Sequence, residues 1–176
     1  MTPNRTGVFL TIVLLLTAMV LGGTAAGAPG AQKQRPLNVS LDFLSADPTF
    51  DCDPGLVPAG AEGTGHLSHL GRVEISGGQC NNFATLEFTD GFGTYVAANG
   101  DAIDITYSGQ ASLTPDGFEG FGSATIMGGT GRFHAASGEF DFTFTTFVFP
   151  DGSTRTLLDG EGWISYDASN RRNSWR

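Results

Sequence analysis

Apolar and polar residues alternate along much of the chain from residue 37 onward. In the segment 37–44, apolar side chains occupy the odd positions, and Asn38, Ser40 and Asp42 lie between them. A period of two places successive side chains on opposite faces of a strand, so the segment is predicted to be a half-buried β-strand. No helical period persists beyond it.

The same alternation, bounded by turn residues, predicts eight strands. They cover residues 37–44, 66–76, 83–89, 93–98, 102–108, 119–127, 137–147 and 154–166. Asp90-Gly91, Asn99-Gly100-Asp101 and Pro150-Asp151-Gly152 are typical hairpin turns, because aspartate, asparagine and glycine adopt positive φ at low cost. The stretch 46–63, rich in Asp, Pro and Gly, is predicted to be an irregular loop.

Eight strands joined mostly by short connections must either stack as two sheets or close on themselves, and closure removes exposed edges. In 137–147, Phe140, Phe142 and Phe144 alternate with polar residues. The sequence therefore predicts an all-β domain, an eight-stranded antiparallel up-and-down β-barrel. A β-sandwich is the alternative.

The first 28 residues have the composition of a secretory signal peptide. Arg5 precedes an apolar run at 8–21, and small residues fill 22–28. The run is shorter than the roughly 20 residues that span a membrane. We therefore expect export, with cleavage after Ala26 or Ala28. The predicted organisation is a signal peptide at 1–28, a flexible lead-in at 29–36, the barrel at 37–167 and a polar tail at 168–176.

The net charge of the protein limits the classes of molecule that it is expected to bind. Cleavage would remove one cation, Arg5, and no acid, so the net charge of −9 becomes −10. An acidic domain without a basic stripe is a poor match for nucleic acid or anionic lipid, where contacts to phosphate supply most of the affinity. We expect neither nucleic-acid binding nor stable membrane insertion after cleavage. The oligomeric state is left open.

The chain has two cysteines, Cys52 and Cys80. In an oxidising compartment such a pair is predicted to form a disulfide. Their separation does not fit the Cys-x-x-Cys spacing of redox and metal sites. No zinc grouping, EF-hand loop, phosphate loop or nucleophile elbow is present, so neither a metal nor a cofactor is expected.

Two residues are candidates for catalysis or ligand binding. His69 shares the predicted face of Leu67 and Val73, so it is expected to point into the barrel as an acid–base group or ligand donor. The alternative is a core histidine whose ring nitrogens are satisfied. Tyr107 alternates with Ile105 and offers a hydroxyl to a ligand.

Two aromatic residues complete the candidate ligand-binding set. Trp163 lies on the predicted face of Leu157, where it would plug the barrel floor or flank its cavity. Phe142 belongs to the aromatic strand 137–147. Core packing is the alternative explanation for each aromatic residue.

One segment goes beyond a general strand pattern. Residues 128–138 read GGTGRFHAASG, which resembles the GGTG-basic-F-x-x-A-x-G segment of the allene oxide cyclase and dirigent barrel superfamily. Residues 65–72, GHLSHLGR, look like a strand of its bacterial exported members. The resemblance covers about residues 63–166. It implies an eight-stranded barrel with an apolar central cavity.

The catalytic residues of that superfamily are not recognisable in this sequence, so the resemblance implies the fold alone. Three functions follow as hypotheses. The first is an exported barrel that binds an apolar or amphipathic small molecule in its cavity. The second is a cyclase or isomerase that acts on a reactive small molecule, and the third is a filled, non-catalytic interaction module. The sequence identifies neither the ligand nor the hollowness of the barrel.

Overall fold

The computed structural model describes residues 33–167, and these form one closed antiparallel β-barrel. Its strands are β1 (Arg35–Ala46), β2 (Val57–Leu67), β3 (Gly71–Asn82), β4 (Glu87–Ala97), β5 (Ala102–Thr114), β6 (Gly117–Gly129), β7 (Ser137–Val148) and β8 (Thr154–Ser165). Each strand pairs with the next, and β8 pairs with β1. The predicted eight-stranded barrel is confirmed. The predicted signal peptide, residues 29–32 of the predicted lead-in and the tail at 168–176 lie outside the described residues. The last two residues of the predicted lead-in, Arg35 and Pro36, belong to β1.

The predicted number of strands is right, but several assignments in the first half are wrong. Residues 46–63, predicted to be a loop, contain most of β2, and the predicted strand 66–76 is split by the β2–β3 turn. Small residues hide the alternation of β2. Gly63 is required there by close packing, since a Cβ atom at this position would lie 2.3 Å from the carbonyl oxygen of Asp42 in β1.

Asp90-Gly91 was predicted to be a hairpin turn, and this is wrong. The pair lies within β4, which joins parts of the two predicted strands 83–89 and 93–98 into one. The register with β5 shifts between Phe88 and Gly91 there, and Asp90 has a φ of 51°. A β-bulge uses the positive φ that aspartate tolerates just as a hairpin does. The β3–β4 connection comes earlier, where the side-chain oxygen of Asn82 accepts the backbone N–H of Ala84 at 3.0 Å.

The two ends of the barrel differ. We call the end formed by the β2–β3, β4–β5 and β6–β7 connections the closed end, and the opposite end the open end. Fully buried apolar side chains fill the closed half: Leu37, Leu67, Val73, Ile103, Phe133 and Ile164. Phe133 belongs to a 3₁₀ turn (Gly131–Phe133), and its ring centroid lies 4.7 Å from that of Tyr166.

The segment that carries the family resemblance joins the closed end together. The N–H of Thr130 donates to the carbonyl of Ala102 at 2.9 Å, and the N–H of Ala102 donates to Thr130 Oγ1 at 3.0 Å. The Arg132 guanidinium forms an ion pair with Asp101 at 3.3 Å and donates to the carbonyl oxygen of His69. These contacts tie the connection after β6 to the β4–β5 and β2–β3 turns, which indicates a structural role.

The predicted disulfide is confirmed. Cys52, in the β1–β2 connection, is bonded to Cys80 of β3. The same connection places the Phe50 ring against Gly78 and at a centroid distance of 5.0 Å from Phe92. The disulfide and this aromatic contact fasten the connection to the outside of the barrel. No helix among residues 33–167 is long and apolar enough to cross a membrane.

Candidate functional site

The open half of the barrel contains a cavity of about 300 Å³. Residues of all eight strands line it, and its walls are mainly aliphatic and aromatic side chains. The large inward-facing ones include Leu41, Phe43, Ile75, Phe88, Tyr95, Ile105, Tyr107, Phe140, Phe142, Phe144 and Leu158. Small-molecule sites are typically concave and mostly apolar with a few polar groups, and this cavity has that character.

Four rings form one wall of the cavity, which we call the aromatic wall: Phe88, Tyr107, Phe142 and Phe144. The Phe88 ring lies 5.7 Å from Phe144 and 6.2 Å from Tyr107 between centroids, and Tyr107 meets Phe142 edge-on at 6.2 Å. Glycines make room for these rings, because a Cβ atom at Gly122 would come within 2.5 Å of Phe142 Cζ. The rings therefore lie against the neighbouring backbone, which leaves space in the middle of the barrel.

Two tyrosine hydroxyls are the main polar groups of the inner cavity, and their hydrogen bonding differs. Tyr107 Oη donates to the carbonyl oxygen of Gly78 at 3.1 Å, next to the register shift between Gly78 and Cys80. Tyr95 lines the same cavity and is 7% exposed. Within the described part of the chain, no protein group is placed to hydrogen-bond with Tyr95 Oη.

Both phenols are held in the neutral form. Burial raises the pKa of Tyr107. Burial raises the pKa of Tyr95 as well, and the nearby Tyr107 adds to the rise because two phenolate charges would repel. The hydroxyls therefore keep their protons over the whole physiological range and act as neutral hydrogen-bonding groups.

These raised pKa values predict a loss of stability in alkali. An unfolded tyrosine ionises near pH 10, whereas the buried phenols of Tyr95 and Tyr107 stay protonated, so the unfolded state alone releases protons. The stabilisation is fully present below pH 10 and decreases by up to about 1.4 kcal/mol per pH unit for each tyrosine above it. Urea unfolding between pH 8 and pH 11 would measure this slope.

A double variant, Tyr95→Phe with Tyr107→Phe, provides the control for the alkaline loss. Its unfolding free energy should depend much less on pH above 10, because both raised phenols are gone. A slope as steep as that of the wild type would show that other groups cause the loss.

The mouth of the cavity is polar. Gln79 Nε2 donates to Asn81 Oδ1 at 2.7 Å, and the hydroxyls of Thr146 and Thr156 share a hydrogen bond of 2.8 Å. Of the described residues that line the cavity, Glu87 alone has a formal charge, and it is exposed at the mouth. The interior therefore offers no counter-charge to an ion. Among residues 33–167, no cluster of three His, Cys, Asp or Glu side chains could hold a metal ion.

Two of the four predicted site residues, Tyr107 and Phe142, line the cavity together. Their role in ligand binding stays a prediction. Tyr95 and Phe88 belong to the cavity wall as well, and sequence analysis did not select them. The alternation of Tyr95 with Gly93 and Ala97 would have indicated that it faces inward.

His69 lies elsewhere, and its predicted inward orientation is wrong. It occupies the β2–β3 turn with a φ of 74°, and its Nε2 donates to the carbonyl of Pro36 at 2.9 Å. Its ring packs at 5.7 Å from Tyr166 at the closed end, away from the residues that line the cavity. The predicted orientation is wrong because residues 66–76 are not one continuous strand: the β2–β3 turn lies between Leu67 and Gly71.

Trp163 also lies outside the cavity. It is half-buried on the outer face of β8, where its Nε1 donates to Glu139 at 3.1 Å. Leu157, on the same face, is exposed. The alternation correctly placed the two residues on one face, but this face is the outer one, so Trp163 neither plugs the floor nor flanks the cavity.

Comparison with known proteins adds little beyond the fold. No protein-family model and no curated protein matches the chain. Among solved structures, the chain is similar to the pterocarpan synthase dirigent protein GePTS1, with a TM-score of 0.45 and 15% identity; the match covers 78% of this chain and 88% of that chain. A similarity of this degree carries no argument about function. The barrel rests on its own strand pairing, and membership of the superfamily stays a prediction.

Proposed function

We propose that the protein is an exported barrel that binds a neutral apolar or amphipathic small molecule in its cavity. The observation that carries the proposal is the apolar cavity of about 300 Å³ in the open half of the barrel. Burial of apolar ligand surface against the aromatic wall supplies the driving force. The cavity also disfavours the alternative of a completely filled barrel.

The volume and the lining limit the ligand. A water molecule occupies about 30 Å³ in the liquid, so the cavity has room for a compact molecule of roughly ten or more non-hydrogen atoms. An ion would lose its hydration without gaining a counter-charge inside, which is costly. The ligand is therefore a small neutral molecule with an apolar body.

Export is supported by two observations. The first 28 residues resemble a signal peptide, and the chain carries a disulfide between Cys52 and Cys80. Disulfides persist in oxidising compartments and are rare in the cytoplasm. The proposed location is therefore extracytoplasmic.

A matched pair of substitutions in β8 tests the proposal. Leu158 lines the cavity and is 9% exposed, whereas its neighbour Leu157 faces outward and is 40% exposed. We expect Leu158→Trp to fill cavity space and to weaken the binding of an apolar fluorescent dye by about tenfold or more, equivalent to about 1.4 kcal/mol. Leu157→Trp should leave the affinity unchanged. Dye titration of both variants measures the difference.

Thermal unfolding accompanies the titration, so that lost binding is not confused with lost folding. The proposal is contradicted if the dye does not bind the folded wild type, or if both tryptophan variants weaken it equally. The cyclase or isomerase alternative remains a hypothesis. Tyr95 and Tyr107, rather than His69, are the residues to replace in testing it.

A further inference from the structure

The Tyr95 side chain is buried in the barrel and lines the cavity, and no group among residues 33–167 hydrogen-bonds with its hydroxyl. We propose that Tyr95 Oη–H is the hydrogen-bond donor for a carbonyl or ether oxygen of the ligand. The ligand class is thus a neutral, largely apolar molecule with an oxygen acceptor. This inference rests on the proposed function and specifies the chemistry of the same cavity.

The contrast with Tyr107 identifies Tyr95 as the donor. Tyr107 already gives its only O–H proton to the carbonyl of Gly78 at 3.1 Å. Tyr95 has no such acceptor among residues 33–167, although it is 7% exposed and lines the cavity. The O–H donor of Tyr95 is therefore available to a group that enters the cavity, and polar groups inside proteins are almost always paired. A ligand acceptor would satisfy it.

The surroundings of Tyr95 favour a carbonyl or ether oxygen over a carboxylate. Tyr95 lies opposite Ile75 on β3 and Ile103 on β5, which are both buried and apolar. No Lys or Arg among residues 33–167 lines the cavity, and the carboxylate of Glu87 at the mouth repels anions. A carboxylate would therefore be buried without a cation. A neutral oxygen requires one donor, which Tyr95 supplies.

Two probes that differ in one oxygen separate this inference from the proposed function. Indane and 1-indanone share a compact bicyclic skeleton, and only the ketone has an acceptor. Their affinities are measured by calorimetry for the wild type, Tyr95→Phe and Tyr166→Phe. Tyr166 provides the matched control, because it is also a buried tyrosine but packs at the closed end on Phe133.

We expect Tyr95→Phe to lower the affinity for 1-indanone by about 3- to 10-fold, which is the effect of losing one neutral hydrogen bond. Indane should bind this variant equally well or slightly better, because the unpaired hydroxyl is gone. Tyr166→Phe should bind both probes like the wild type. The infrared carbonyl band of bound 1-indanone should lie at lower wavenumber in the wild type than in Tyr95→Phe, which reports the hydrogen bond directly.

Each other outcome overturns a specific claim. If both probes bind and Tyr95→Phe changes neither their affinity ratio nor the carbonyl band, Tyr95 does not bind the ligand oxygen. The inference is then wrong, while the cavity function stands. If neither probe binds the folded wild type, the proposed function fails and the inference fails with it.

Discussion

Replacing Cys52 and Cys80 together by alanine is expected to lower the free energy of unfolding by about 3–4 kcal/mol. The disulfide joins residues separated by 28 positions, and a cross-link of this span removes much of the conformational freedom of the unfolded chain. The bond also anchors the connection between β1 and β2 to β3, and this connection contains no β-strand. Urea unfolding of the double variant and the wild type measures the loss.

Chemical reduction of the wild type is the control for this prediction. Reduced wild type and the double variant should unfold at similar urea concentrations, because both lack the same constraint. The alanine variant also removes two sulfur atoms, one of them in the buried Cys80. If reduction costs less than about 1 kcal/mol, the Phe50 contact with Gly78 and Phe92 anchors the connection without the disulfide.

The second half of the barrel was predictable because its strands alternate strongly. Segments 119–127, 137–147 and 154–166 correspond to β6 to β8 with modest changes at the ends, and 102–108 is the first half of β5, which continues to Thr114. Large residues such as Phe140 and Phe142 mark the inner face there. In β2 the inner positions from 59 to 65 hold only alanine and glycine, so the strand lacks the large apolar residues that mark an inner face. Its strand conformation follows from pairing with β1 and β3, which a local pattern does not contain.

The same limit explains the candidate site. Tyr107 was found because it continues the alternation of Ile103 and Ile105, whereas His69 was misplaced because one turn inverts all face assignments beyond it. The presence of a cavity could not be predicted from the sequence, for a different reason. The cavity depends on how inner side chains from opposite walls, such as Leu158 and Tyr95, add up across the closed barrel. The space left between these side chains depends on the register of all eight strands.

Replacing Phe133 by alanine is expected to lower the free energy of unfolding by about 3–5 kcal/mol. Phe133 is 0% exposed, contacts the Tyr166 ring and lies under the Arg132 guanidinium at 4.8 Å. Its removal would leave a void at the closed end, where the neighbouring side chains are held by paired strands and cannot fully collapse into it. Urea unfolding measures the loss.

Phe121→Ala is the matched control, because Phe121 is 63% exposed on the outer face of β6 and should change stability by less than about 0.5 kcal/mol. Phe133 does not line the cavity, so folded Phe133→Ala should bind the apolar dye with wild-type affinity. Lost affinity in the folded variant would contradict the division between a closed half that stabilises the barrel and an open half that binds. We expect Phe133→Ala to lower the stability and leave the affinity unchanged, whereas Leu158→Trp lowers the affinity. This pair of results would establish that the two halves serve these roles separately.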